Sequence, residues 1–502
     1  MPTRKDAACW WIWVGALAIL VTGLVWSMSP TRLGAAELQM APQNPAFTEY
    51  LRNKELGLLR TLSDDGYPLA FLPSPIRLPT VTSRARLMAD DSLPSAFDLR
   101  SAGGVTAVKD QGACGSCWAF ATFASLESFL QYRQWQHKTF DFSEQDLNRY
   151  SGFDLGECGG GTFDMATAYL ARWGGPVYTS DVPYPYGVSG VESLNATEGV
   201  KVRKHVQNAW YLPERNSFTD NDQVKEAVKT YGAVAASFHY AANYYHSPNA
   251  AYYYNGANSA NHAIALVGWD DNYSRSNFSA SCQPPANGAF IVKNSWGTSW
   301  GEHGYFHLSY YDPSLSVGVC YHNAEKIGNY RVIYSHDPLG WTTSVGYGST
   351  TAWFANVFTA DPSAVQIKAV SFYSPVPTAR YKIFIYRDLT GTDPRSGTLV
   401  TTLKGRLNKA GYRTVKTYTL PEAVPTVTAG ATFSVVVKLT TPDYLYPIPL
   451  EQYYSGYSST ASASNGQSHV SADGNSWNDL TRLRLGATLL SRANVCLKAF
   501  GN

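Results

Sequence analysis

Near residue 325 the apolar pattern of this 502-residue chain changes its period, and that change sets what the chain folds into. Before it, helix and strand signals are mixed. WAFATFASLESFLQYRQW puts Ala119, Phe123, Leu126 and Leu130 on one face at helical spacing. TFDMATAYLARWG, closed by Gly174 and Gly175, and NDQVKEAVKTYG predict two further helices. AVAASFHY, HAIALVGWD, AFIVKNSW and YFHLSYY read as strands. After it, helix signals vanish. VQIKAVSFY, YKIFIYRD, TFSVVVKL and NVCLKAF alternate or run apolar over strand lengths. Tyr381, Ile383 and Ile385 share one face, and Phe433, Val435, Val437 and Leu439 share another. The expectation is an α+β domain over 92–325 followed by an all-β sandwich over 326–502. YSGYSSTASASNGQS, 454–468, reads as an exposed loop.

The N-terminus reads differently. Arg4 and Lys5 precede a long uncharged apolar run, and small residues surround Ala35 and Ala36. Residues 1–36 therefore read as a signal peptide, or as a membrane anchor over residues 8–28, since the run is nearly bilayer length. Either way the remainder is exported: secreted, periplasmic or attached to the cell envelope. Membrane contact is expected only if this segment is retained. Residues 37–91 are polar and proline-punctuated, with one short helix expected around FTEYLRNKELGLLRTL. They read as a pro-segment or N-terminal arm, and SRAR at 83–86 as a cleavage stretch. The net charge is +2 without a basic run, so nothing points to nucleic acid.

Six cysteines follow the leader: Cys114, Cys117, Cys158, Cys282, Cys320 and Cys496. Two of them sit in QGACGSCWAF. A zinc site needs a second ligand pair, and no other C-x-x-C occurs. A redox dithiol belongs after a strand in a βαβ unit, whereas here the second cysteine opens a helix. A nucleophile fits better. Cys117 falls in the first turn of a long helix, where free N–H groups and the dipole favour a thiolate. The dipole supplies only about 0.3–1 kcal/mol. A neighbouring imidazolium is needed to bring a thiol from about 8.5 down to about 3–4. One unpaired nucleophile among six cysteines requires a second free thiol.

CGSCW at 114–118 fits the local signature of the papain and cathepsin nucleophile. QGACGSCWAF resembles the papain-like cysteine peptidase family, and the likeness continues in family order. LPSAFDLRSAGGVTAVKDQG resembles the mature start of those enzymes, FSEQDL their SEQ motif, and ECGGGTF the cleft glycines. NHAIALVGWD resembles the histidine strand and FIVKNSWGTSWGEHGYFHLS the asparagine segment. The resemblance implies a two-lobed fold, a helical lobe plus a β-barrel-like lobe, acting without metal or organic cofactor on protein or peptide substrates. It implies Cys117 as nucleophile, His262 as its partner and general acid, and Asn294 as the group orienting the imidazole. Gln111 would serve the oxyanion and Trp296 would cover the His262–Asn294 bond. Gly160 and Gly161 would pair with an extended substrate, and Thr162, Phe163, Ala263 and Ser237 would lie near the second pocket. Cys114 would bridge Cys158. Without that context His262 alone would read as structural, and His137, His205, His239, His246 and His303 still do.

Three departures stand out. The cysteine that usually follows the SEQ segment is missing. Residues 271–288 lengthen the link between His262 and Asn294, and Cys282 there is expected to pair with Cys320, leaving Cys496 a buried thiol. The pro-segment is short, so inhibition by residues 37–91 is an expectation of its own. SHDPLGWTTSVGYGSTTAWFANVF, AGATFSVVVKL and GQSHVSADGNSW resemble the lectin-like domain of some bacterial and archaeal papain-like peptidases. That implies a carbohydrate ligand, with Trp341, Trp353, Tyr453, Tyr454 and Trp477 as stacking rings, or else a positioning module, with Trp353 read as core. Two rivals stay open. One is an adhesin or carbohydrate-binding protein with an inactive peptidase fold, and the other a transpeptidase using the same acyl-thioester.

Overall fold

The computed structural model describes residues 37–79, 93–134, 138–184, 200–418 and 423–502. The leader and the 83–86 stretch lie outside the described residues. Among the described residues no helix is long and apolar enough to cross a membrane.

A helical lobe and a β lobe make up the first part of the fold, with an all-β part following. Helix Cys117–Phe129 is its axis, and all thirteen of its residues are buried. One-sided periodicity underestimates this burial, because the helix packs against other helices on one side and the sheet on the other. Helix Phe163–Ala171 forms as the pattern predicts, capped by Thr162, whose side chain accepts from Met165 N. Helix Glu144–Arg149 was not anticipated, although Ser143 carries a capping signal and accepts from Asp146 N. The arm helix is Pro45–Glu55, opened by Asn44, whose side chain accepts from Ala46 N. It stops well before residue 62 because Gly57 turns at φ +67°.

The β lobe carries the strands His262–Asp270, Ala289–Lys293 and Tyr305–Ser309 in antiparallel succession. Val234–Phe238 flanks the first of them and pairs on its other side with Ser316–Glu325. Ser316–Glu325 then pairs with His205–Tyr211. The sheet does not stop there. His205–Tyr211 pairs antiparallel with Ala410–Lys416 of the C-terminal part, Trp210 opposite Gly411 and Ala209 opposite Tyr412. Gly411 sits at φ +102°, and a Cβ there would lie 2.3 Å from the Ala209 carbonyl oxygen, so the junction needs glycine. Ala410–Lys416 continues through Ile367–Ser374 to Leu497–Gly501. One sheet thus runs from the histidine strand to the C-terminus.

Against that extension packs a six-stranded sheet containing Thr351–Thr359, Arg380–Arg387 and Thr432–Thr440. Their core is apolar: Ile383, Ile385, Phe433, Val435, Val437 and Leu439 are fully buried, as the alternation predicts. Residues 454–468 are not simply an exposed loop, since Tyr457, Ser458 and Ala461 are buried. The pairing expected for Cys282 does not form. Cys320 is enclosed in strand Ser316–Glu325 while Cys282 lies on the outer loop against the Tyr253 carbonyl, and both thiols are free, as is Cys496.

Candidate active site

Cys117 opens its helix at the seam between the helical lobe and the β lobe, where its Sγ accepts from Ala263 N at 3.4 Å. The turn before it is fixed twice: Cys114 is disulfide-bonded to Cys158, and Gly115 bridges Gly159. His262 begins the neighbouring strand, and its Nε2 lies 2.8 Å from Asn294 Oδ1. Ser295 N donates to that same oxygen at 2.9 Å. The oxygen of the Asn294 amide therefore faces His262, so Nε2 carries the proton and Nδ1 keeps its lone pair. The Trp296 ring stacks on the imidazole at 4.4 Å and shields the bond from water.

Gln111 is completely buried. Its Oε1 accepts from Ser295 Oγ at 2.6 Å, its carbonyl accepts from Tyr184 OH at 2.6 Å, and its Nε2 donates to the Cys114 carbonyl at 2.9 Å. Ser295 thus orients the side-chain amide and Tyr184 holds the backbone beneath it, and sequence reading missed both. The NSWG segment held the signal for Ser295. Phe163 and Ala263 face the cleft beside Cys117, while Ser237 lies one strand further on, opposite Ala263. Thr162 is committed elsewhere, to its helix cap and to Tyr457 OH at 3.4 Å.

The arm fills the cleft. Gly161 N donates to the Ala70 carbonyl at 3.0 Å and Leu72 N to the Gly161 carbonyl at 3.1 Å, so Phe71 runs parallel to Gly161. Phe71 N also donates to the Asn261 carbonyl at 3.0 Å. Gly160 (φ +97°) lets the strand approach, since a Cβ there would lie 2.6 Å from the Ala70 carbonyl oxygen. The Phe71 ring meets Phe163 at 4.9 Å, and Tyr67 stacks on Trp296 at 4.3 Å. The Pro68 carbonyl reaches Gln111 Nε2 at 3.5 Å.

Enclosure sets the charge state. Burial pushes the Cys117 thiol up to about 11, against the pull of the Ala263 and Ala70 N–H groups. Burial likewise holds His262 down to about 4, although its bond to Asn294 favours the charged ring. Beneath the arm the pair is therefore thiol and neutral imidazole.

Residues 93–323 match the papain family cysteine protease profile, and residues 333–501 match the lectin like domain. Two matched segments thus stand side by side in this chain, papain-like over 93–323 and lectin-like over 333–501. The papain-like part is 33% identical over 224 residues to a viral cathepsin of Heliothis zea nuclear polyhedrosis virus, covering 44% of this chain and 53% of that one. It is 33% identical over 230 residues to cysteine proteinase A of Leishmania mexicana, covering 44% and 57%. The chain thus spans little more than half the length of these curated relatives. A solved structure of the cysteine protease and lectin-like domains of Cwp84, a surface layer associated protein of Clostridium difficile, superposes with TM-score 0.75 at 23% identity. It covers 93% of this chain and 98% of that one. Clostridial Cwp84 after propeptide cleavage gives TM-score 0.69 at 24% identity, over 82% and 100%. These two likenesses show that the papain-like and lectin-like folds occur together in one chain.

Proposed function

We propose that this chain is an exported cysteine endopeptidase, held inactive by the arm, residues 37–91, until it is removed. The observation that carries the reading is the convergence of Cys117, His262, Asn294 and Gln111 at one seam, each held by its own partners. Once water enters, the burial that keeps the pair neutral is relieved and the His262 Nδ1 lone pair can take the Cys117 proton. The thiolate attacks the substrate carbonyl carbon. The oxyanion is held by Gln111 Nε2 and the Cys117 N–H. His262 gives its proton to the leaving amine as the C–N bond breaks, which leaves an acyl-thioester on Cys117. Water then attacks, its proton passes to His262, and the acid is released with the thiol restored.

The blocked cleft supports the zymogen reading, as does a similar structure described after propeptide cleavage. That neighbour is surface layer associated, which supports a cell-envelope location for this chain too. The boundaries we propose are 1–36 for the leader, 37–91 for the arm, 92–325 for the peptidase and 326–502 for the lectin-like domain. For a carbohydrate ligand the rings are unequal. Trp341 is buried, Tyr454 packs on the arm and the Arg492 guanidinium covers the Tyr453 ring at 4.0 Å, leaving half-buried Trp353 and Trp477 as the platform.

The test is labelling. The chain freed of residues 37–91 is reduced, treated near pH 6 with an epoxysuccinyl inhibitor, and mapped by peptide mass spectrometry. An adduct on Cys117, lost in His262→Ala, is expected. Absence of any adduct on the folded protein would refute the peptidase reading. Equal turnover before and after removal of the arm would refute the inhibition.

A further inference from the structure

The arm touches more than the cleft. Ahead of the plug, Gln39 and Met40 pair with Gly346 and Val345, adding a strand to the lectin-like domain's sheet, and Ala41 N donates to the Ser344 carbonyl at 2.8 Å. Leu38 is buried in the sandwich core. In the helix that follows, Phe47 is fully buried, its ring meeting Tyr457 at 4.8 Å and Tyr454 at 6.0 Å. Lys54 Nζ donates to the Gly456 carbonyl at 2.8 Å and to the Asp154 carbonyl at 3.1 Å. The cup beneath is built into the fold. Asp154 accepts from Ser459 N and Oγ at 2.9 and 2.6 Å, so the 454–460 turn is fastened to the peptidase wall.

We propose that the lectin-like domain is the docking partner of this chain's own residues 38–55, and that docking there holds the plug over Cys117. The proposal rests on the zymogen reading and adds a function to the lectin-like domain. The physical reason is effective concentration. The plug engages the cleft through a few backbone bonds and two rings, too little for a free peptide to bind tightly. Fixing residues 38–55 about a dozen residues upstream makes plug binding intramolecular, a gain of about 10²–10⁴ in avidity. The apolar burial of Phe47 and the strand pairing at 39–41 supply the anchor.

The experiment uses the full chain, uncut, and reads the accessibility of Cys117 to a small alkylating reagent at fixed pH. Phe47→Ala empties the cup. Ala41→Pro removes one backbone donor and serves if the first variant folds poorly. Leu399→Ala, at an exposed position on the far sheet of the same domain, is the control. We expect Cys117 alkylation to rise at least about ten-fold in both arm variants and to stay level in the control, in keeping with the lost tether. Unchanged alkylation in the arm variants would overturn the proposal, and so would an equal rise in the control. Alkylation needs no turnover. If no form of the chain cleaves peptides, the peptidase reading fails while the docking result stands.

Discussion

Two of the buried polar clusters among the described residues are finished differently. Behind the cleft, His262 Nδ1, Asn294 Nδ2 and Trp296 Nε1 are buried with no hydrogen-bond partner among the described residues. In the C-terminal part, Lys498 donates to both the carboxylate and the carbonyl of Asp337. There Glu451 accepts from Leu339 N at 2.7 Å and from Asn494 Nδ2 at 3.1 Å, and Asn494 also donates to the His336 and Ser462 carbonyls. An unmet buried polar group costs about 1–3 kcal/mol. The C-terminal cluster avoids that cost and ties loops to strands. The cleft bears it, and one of its three unmet atoms, His262 Nδ1, is the base of the reaction proposed above.

The contrast can be broken most severely at the nucleophile. Cys117→Ser is expected to lower turnover by at least about 10⁴-fold with little change in melting temperature, read from peptide hydrolysis and calorimetry. Retained turnover would mean that the incomplete cluster is not the reacting one. The opposite signature is expected from Lys498→Met. It strands the buried Asp337 carboxylate and should cost about 3–5 kcal/mol in a denaturant titration. The kcat of whatever remains folded should be unchanged. Gln111→Ala should fall between, losing about 10²–10³ in kcat as one oxyanion donor goes. A KM effect alone would assign Gln111 to binding.

The last expectation concerns pH. Burial, with Asp337 nearby, pushes the Glu451 carboxyl up from 4.5 to about 8. Between those values the folded state keeps a proton that the unfolded chain has released. Its stabilisation is full below about 4.5 and is lost as pH climbs through 8. Glu451→Gln, neutral throughout, should flatten the fall in melting temperature between pH 5 and 8. An unchanged slope would place the pH dependence elsewhere.

The papain-like part was legible because its chemistry needs particular residues at particular spacings. QGACGSCWAF, NHAIALVGWD and FIVKNSWG carry Gln111, Cys117, His262 and Asn294 on the page, and the structure brings these four together. Two features were not legible. The pairing of Ala410–Lys416 with His205–Tyr211 joins segments some two hundred residues apart, and strand patterns do not encode partners across such distances. Nor did FTEYLRNKELGLLRTL show what its apolar face would cover. Only the structure sets Phe47 of that helix against the Tyr454–Tyr457 turn. The disulfide Cys114–Cys158 followed from the resemblance, whereas the expected Cys282–Cys320 link had only parity behind it, and it does not form.

The shared sheet bears on how the chain can be divided. His205–Tyr211 is buried at every position, and residues 410–413 cover one side of its Asn208–Tyr211 stretch. A chain truncated after residue 325 would present that seven-residue strand as a raw edge, a template for pairing with other copies of itself. The lectin-like domain is therefore not cargo that can be unloaded from the peptidase: it is the selvedge that stops the peptidase sheet from unravelling into its neighbours.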